Sequence, residues 1–254
     1  MNTERVFTSH SRGLGKALLL RAFRPLREMN VPAETVRRLL FRGCRWTSLV
    51  GLIGAFSFFS LFGSGLAGEK EDVYLSFFLL GSVPEDKGVV FSGMNAAGTN
   101  LGGGFGGGLK AGIFPEFTKR TLGVELEYFG HGGNITFLVP GGGGQIGRSD
   151  LTVLNSMVNF LLRYPGNSFQ PYGGVGIGYS SGILTDANIP GRADRGLETA
   201  PAFAHQWMAG LQGNLTERIF LFGEYKQFSA NYHWSQLSLD FRTHYVLTGI
   251  GLRF

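Results

Sequence analysis

The sequence predicts an all-β protein: an eight-stranded antiparallel up-and-down transmembrane β-barrel, preceded by a signal peptide. Three observations lead to this prediction. Apolar residues repeat with a period of two after residue 68, short and long connections alternate between the periodic segments, and an uncharged run lies near the N-terminus. Of 254 residues, 41 are Gly, 23 are Phe and one is Cys, a composition that excludes a disordered chain and a disulfide scaffold.

The N-terminal part has the layout of an export signal. Residues 1–45 form a basic region or an upstream extension, and residues 46–67 form an apolar segment without charge. Small residues follow, so we expect cleavage near Ala67. A transmembrane anchor is the alternative, because the run is long enough to span a bilayer. The basic region is long for a signal peptide, which leaves Met1 and Met29 both open as the translation start.

The basic excess of the chain belongs to this N-terminal part. Residues 1–68 hold 10 Lys and Arg against 3 Asp and Glu, whereas residues 69–254 hold 13 against 15. The expected barrel domain, residues 68–254, is therefore close to neutral, although the whole chain carries a net charge of +5. A basic tail is not a basic surface on the folded domain, so we expect no nucleic-acid partner.

Eight segments of the barrel domain alternate like half-buried strands. Their predicted bounds are 73–80, 102–114, 121–128, 150–164, 169–180, 202–214, 219–229 and 243–254. The short connections contain turn residues such as Pro115 and Pro165-Gly166. Transmembrane barrels have short periplasmic turns and longer outer loops. We therefore expect loops outside the cell near 81–101, 129–149, 181–201 and 229–242.

The two faces of the predicted strands differ in chemistry. In segment 121–128, Val124 and Tyr128 share one face, and Glu125 and Glu127 share the other. An eight-stranded barrel has an interior just wide enough for side chains, so Gly and paired charges fit inside and bulky apolar residues fit lipid. A soluble lipocalin-like barrel with the opposite orientation is the alternative. The predicted lumen cluster is structural and comprises Lys110, Glu125, Glu127, Arg163, Glu224, Lys226 and Arg253.

Four stretches of the chain resemble strands of small outer-membrane β-barrels of the OmpA, OmpX and opacity-protein type. They are LGVELEYFG (122–130), FQPYGGVGIGYS (169–180), IFLFGEYKQF (219–228) and THYVLTGIGLRF (243–254). The resemblance covers roughly residues 70–254. It implies a location in the outer membrane of a Gram-negative bacterium, with membrane lipid and the barrel-assembly machinery as partners. It also implies an assembly signal in the closing strand, at Ile250, Leu252 and Phe254.

The expected role is non-enzymatic: a structural or surface-interaction protein whose outer loops contact an unknown extracellular ligand. A lipid-modifying enzyme of the lipid A deacylase type is the alternative, because His233-Trp234-Ser235 has a His-x-Ser spacing in which His activates Ser. A narrow pore is a third possible function. The pattern Gly102-x-Gly104-x-x-Gly107 opens no helix and the His residues lack ligand spacing, so we expect no cofactor or metal. Trp207 and Trp234 are expected in interfacial aromatic girdles.

Overall fold

The computed structural model describes residues 71–254, apart from Lys87, Asn167, Asp194 and Arg195. The predicted signal segment and its cleavage position lie outside the described residues. Within the described part, no helix is long and apolar enough to cross a membrane. The strands are β1 (Asp72–Pro84), β2 (Val89–Phe91), β3 (Met94–Asn95), β4 (Ala97–Gly102), β5 (Phe105–Phe114), β6 (Leu122–Leu138), β7 (Ile146–Arg163), β8 (Phe169–Asn188), β9 (Glu198–Asn214), β10 (Ile219–Trp234) and β11 (Leu237–Arg253).

Eight of these strands form a closed antiparallel ring. The order is β1-β5-β6-β7-β8-β9-β10-β11, and pairing of β1 with β11 closes it. In the closing ladder, Phe77 lies opposite Ile250 and Pro84 lies opposite Thr243. A closed ring leaves no unpaired ring edge, which is the condition for crossing lipid with strands. The predicted eight-stranded antiparallel barrel is confirmed.

The three short strands complete the wall near its upper end. Strand β4 pairs with β6 above β5, and β2 pairs with β11 and β3. Ser82 bridges the break between β4 and β5, because its N–H donates to Gly104 O and its Oγ accepts from Gly104 N–H, both at 2.9 Å. A Cβ on Gly103 would lie 2.2 Å from Ser82 O, so this close approach requires glycine.

The long strands run further than the sequence predicts. Strands β6 and β7 continue through most of 129–149, and only Val139 to Gln145 connect them. Strands β10 and β11 are joined by Ser235 and Gln236 alone. The regions 81–101 and 181–201 also contain strand residues. The expected strand ends were therefore too early, and the connections at this upper end are shorter than predicted.

The barrel wall reverses its polarity along its length. At the lower end, where the short turns and Phe254 lie, apolar side chains point outward. Beyond Tyr128 of β6, outward residues such as Asn134 and Thr136 are polar, while Ile135 and Phe137 point inward and are 1% exposed. We call this upper part the tower. It comprises residues 130–138, 146–154, 181–188, 198–204, 229–234 and 237–244.

The tower has the interior of a water-soluble barrel. Its inward side chains are buried and mainly apolar, and include Leu151, Val153, Leu184, Leu239 and Phe241. Nine residues of β6 at about 3.4 Å each, tilted by about 40°, give the tower a height of roughly 20 Å. The predicted rule therefore holds only in part and only in the lower half. Bulky apolar residues lie outward there, but the lower lumen also holds buried aromatic rings, such as Phe129 and Phe222, beside the charged side chains.

Candidate functional site

Five charged side chains meet in the centre of the lower lumen. Lys110 Nζ lies 2.7 Å from Glu224 Oε2 and 3.3 Å from Glu125 Oε1. Lys226 Nζ contacts Glu127 Oε1 and lies 3.2 Å from Glu224 Oε1. All five belong to the predicted lumen cluster, and their side chains are at most 3% exposed. Two ammonium groups therefore bridge three carboxyl groups, which is how buried charge is tolerated.

Neutral polar groups surround these charges. Asn159 Nδ2 donates to Glu125 Oε1 and to Glu127 Oε2, each at 2.9 Å. Gln206 Nε2 donates to Glu127 Oε2 at 2.9 Å. The Tyr172 hydroxyl donates to Glu224 Oε2 at 2.6 Å, and the Tyr74 hydroxyl donates to Glu125. The two tyrosines were not predicted from the sequence, because their rings resemble core residues.

Aromatic rings enclose the two ammonium groups. Lys110 Nζ lies 5.4 Å from the Phe222 ring centroid, and Lys226 Nζ lies 5.0 Å from the Phe129 centroid, both within cation–π range. The cavity beside the cluster, lined by Lys110, Glu125 and others, has a volume of about 20 Å³. That volume accommodates about one water molecule. Side chains therefore fill the lumen at this level.

The other two residues of the predicted cluster lie at the lower mouth. Arg163 Nη2 is 2.6 Å from Asp72 Oδ2, and Arg253 Nε is 3.1 Å from Asp72 Oδ1. The Arg163 guanidinium also stacks on the Phe114 ring at 3.6 Å. Both arginines are the last residues of their strands. Their place near the ends of the predicted strands was therefore the feature of the sequence that could have indicated the mouth of the barrel. Asp72, which lies between them, was not anticipated.

Polar contacts also lie inside the barrel at the base of the tower. Ser180 Oγ bonds to the Tyr232 hydroxyl and donates to Asn155 Oδ1 at 2.6 Å. Burial raises the pKa of Tyr232 above its usual range. Trp234 points into the same interior, where its Nε1 donates to Gly182 O at 3.0 Å. The expectation that Trp234 belongs to an interfacial girdle is therefore wrong.

The residues of the His-x-Ser motif do not pair with each other in this structure. His233 Nδ1 lies 3.0 Å from Ser238 Oγ, directly across the β10–β11 ladder. Its side chain is on the outer face of the tower, whereas Ser235 lies in the turn. Among the described residues, no group of three or more His, Cys, Asp or Glu side chains is placed to hold a metal ion.

Two aromatic rows border the apolar outer band of the lower half. The upper row contains outward side chains of Tyr128, Tyr179, Trp207 and Tyr225, each at least 37% exposed. The lower row contains Tyr164, Phe169 and Phe254. Aliphatic residues such as Leu122, Leu221 and Ile250 lie between them and are at least 44% exposed. An apolar band between two aromatic girdles is the surface that a barrel presents to a bilayer.

Comparison with known proteins agrees with this geometry. Residues 54–254 match the outer membrane protein beta-barrel domain. The chain belongs to this outer-membrane β-barrel family. The barrel therefore crosses the outer membrane with its strands, and the soluble lipocalin-like alternative does not apply.

Several solved outer-membrane proteins are similar to this barrel. OprG from Pseudomonas aeruginosa is 19% identical with a TM-score of 0.50, and the match covers 72% of this chain and 95% of OprG. Neisserial surface protein A is 12% identical at a TM-score of 0.47, covering 72% and 97%. Ail from Yersinia pestis, solved with a heparin analogue, is 16% identical at 0.43, covering 73% and 99%. No curated protein matches the sequence.

Proposed function

We propose that this barrel is a non-enzymatic, non-conducting surface protein whose tower holds short hairpins outside the cell for contact with an extracellular partner. The reversal of wall polarity above the upper aromatic row carries the proposal. A polar outer face with an apolar interior is stable in water and unsuited to lipid. The tower therefore belongs above the bilayer, and its packed interior makes it a rigid support for the turns at its end.

The filled lumen supports the non-conducting role. The central charges are paired and walled by aromatic rings, and a cavity of about 20 Å³ lies beside them. Planar bilayer recordings on the purified protein are expected to show no stepwise conductance. Regular steps that disappear in a Lys110→Met variant would contradict this part of the proposal.

Cysteine labelling tests the orientation, because the chain contains a single natural Cys, at position 44. In a background without that Cys, Gln145→Cys reports on the tower hairpin and Glu217→Cys reports on a lower turn. Both side chains are exposed. A membrane-impermeant maleimide added to intact cells is expected to label Gln145→Cys and to leave Glu217→Cys unlabelled until the cells are broken. Labelling of only the lower position on intact cells would reverse the proposed orientation.

The enzyme alternative predicts a different result. If His233 activates a nucleophile, purified protein will release fatty acid from lipid A, and His233→Ala will abolish the release. We expect no release from either protein.

We also infer that residues 46–67 direct export with cleavage near Ala67, and N-terminal sequencing of the membrane-inserted protein tests that position.

A further inference from the structure

A groove with a volume of about 540 Å³ lies on the outer wall where the apolar band meets the tower. Ser229 of β10 lies in its floor, with His205 of β9 on one side and Arg242 of β11 on the other. Trp207 lines its lower part. The groove is therefore a feature of three adjacent strands and not of a mobile loop.

Strand register explains why the wall is hollow at this point. Ser229 pairs with His205 across one ladder and with Arg242 across the other. Directly opposed residues have Cβ atoms about 5 Å apart, so a small Ser between two long side chains leaves a depression. One row below, Trp207 Nε1 donates to Gln227 Oε1 at 2.5 Å, which holds the indole beside the groove.

The donors around the groove suit an oxyanion. Arg242 is exposed, and its Nη2 donates to Oδ2 of Asp240, which also lines the groove, at 3.3 Å. That distance is longer than about 2.8 Å, the usual length of a charge-assisted hydrogen bond, so the guanidinium keeps donors for a ligand. The Ser229 hydroxyl and the His205 ring add two further polar groups. A planar guanidinium can donate two parallel hydrogen bonds to phosphate oxygens, and the neighbouring polar groups can add further contacts.

The position of the groove along the barrel axis determines which kind of ligand can reach it. Outward residues below it, such as Leu211, Leu221 and Val246, belong to the apolar band, whereas Asn231 and Asp240, which line its upper part, are polar. A lipid molecule here places its acyl chains against the band and its headgroup against the groove. The Trp207 ring offers an apolar face at the boundary, the usual position of amphipathic aromatic side chains.

We infer that the groove binds the phosphorylated sugar headgroup of a glycolipid in the outer leaflet, with Arg242 on a phosphate. Lipid A, a phosphorylated glucosamine disaccharide with acyl chains, is the occupant that this chemistry describes. The inference rests on the proposed orientation, with the tower outside the cell, and does not depend on what the tower hairpins contact.

Native mass spectrometry of the purified, detergent-solubilised protein tests the inference. The probes are bis-phosphorylated lipid A, dephosphorylated lipid A and phosphatidylglycerol. Arg242→Ala removes the cation, and Ser229→Trp fills the groove while leaving every charge in place. Arg148→Ala is the matched control, because Arg148 is an outward, exposed arginine of the tower on β7. A heated-versus-unheated gel verifies that each variant is folded.

The expected result is a loss of about tenfold in affinity for bis-phosphorylated lipid A in each groove variant, since charge-assisted hydrogen bonds are lost or blocked. Arg148→Ala is expected to bind like the parent, and dephosphorylated lipid A and phosphatidylglycerol are expected to bind the parent more weakly. Parent-like affinity of both folded groove variants would overturn the inference. Equal binding of the dephosphorylated lipid by the parent would overturn it as well.

Discussion

Lys110 Nζ and Glu224 Oε2 lie 2.7 Å apart in the centre of the lumen, although the residues are 114 positions apart in the chain. Lys110 belongs to β5 and Glu224 to β10, and β1 and β11 separate these two strands in the ring. The contact therefore crosses the barrel interior and joins two strands that are not neighbours in the ring. Both side chains are almost fully buried, so the pair is stable only while both charges are present.

Removing Lys110 is expected to destabilise the barrel strongly. Lys110→Met leaves Glu224 and Glu125 without this ammonium group, and breaking a buried pair costs about 3–5 kcal/mol. The free energy of unfolding in urea, measured in lipid vesicles, checks the prediction. The double variant Lys110→Met with Glu224→Gln removes one carboxylate too and is expected to recover part of the loss. Parent-like stability of the single variant would show that the buried pair does not stabilise the barrel.

Two neighbouring residues of β6 test the packed interior of the tower. Phe137 is 1% exposed and packs against Phe91 at 5.9 Å between ring centroids, whereas Leu138 points outward and is 38% exposed. Phe137→Ala is expected to cost about 3–5 kcal/mol, because it leaves a cavity. Leu138→Ala is expected to cost less than about 1 kcal/mol. The same urea titration measures both, and similar losses in the two variants would refute the proposed packing.

Two glycines on adjacent strands test how the lumen is filled. A Cβ on Gly210 would lie 2.5 Å from Tyr172 Cζ and 2.9 Å from Gly223 O. Gly210→Ala therefore displaces the ring whose hydroxyl donates to Glu224, and overpacking of this kind costs about 1–3 kcal/mol.

Gly223→Ala is the matched control, because a Cβ there has no atom of the described residues within 4 Å apart from Gly223 and its two chain neighbours. We expect it to change the free energy of unfolding by less than about 0.5 kcal/mol. If Gly210→Ala is as stable as Gly223→Ala, the close packing of Tyr172 against β9 is not present in the folded barrel.

A substitution in the proposed assembly signal is expected to reduce assembly in cells without changing the stability of the folded barrel. The Phe254 side chain is 74% exposed, and its backbone N–H donates to Val73 O at 3.0 Å. Phe254→Ala is expected to leave the unfolding free energy of refolded protein within about 0.5 kcal/mol of the parent. In cells, the amount of heat-modifiable barrel is expected to fall several-fold, as measured on gels.

Phe117→Ala is the control for this variant, because Phe117 is 89% exposed and belongs to a lower turn. Its expected cellular level equals that of the parent. An equal fall in both variants would attribute the effect to loss of any exposed aromatic side chain and would remove the special role of the closing strand.

The alternation of residues was sufficient to predict the ring and the direction of many side chains. Glu125 and Glu127 face the lumen because they alternate with outward Val124 and Tyr128. The same alternation continues through Ile135 and Phe137, but the small or polar outward residues between Gly130 and Thr136 resemble a loop. A strand that leaves lipid for water exchanges apolar outward residues for polar ones, and this hides its continuation from a search for an apolar outer face.

The contacts inside the lumen could not be predicted from the sequence. Which inward residues meet depends on the stagger between strands, and this is a property of the closed ring. Lys110 and Lys226 therefore contact three carboxyl groups between them, whereas Arg163 and Arg253 meet Asp72 at the mouth. The position of Trp234 was predictable, because it is two residues after the inward Tyr232.

Site-directed spin labelling along β6 is the most direct test of the polarity reversal. Labels at Leu122, Val124 and Leu126 probe the outer face below the aromatic row, and labels at Gly132, Asn134 and Thr136 probe it above. In lipid vesicles, we predict that the lower labels collide mainly with oxygen and the upper ones mainly with a water-soluble nickel complex. Oxygen-dominated collisions at all six positions would place the tower in lipid and contradict the account.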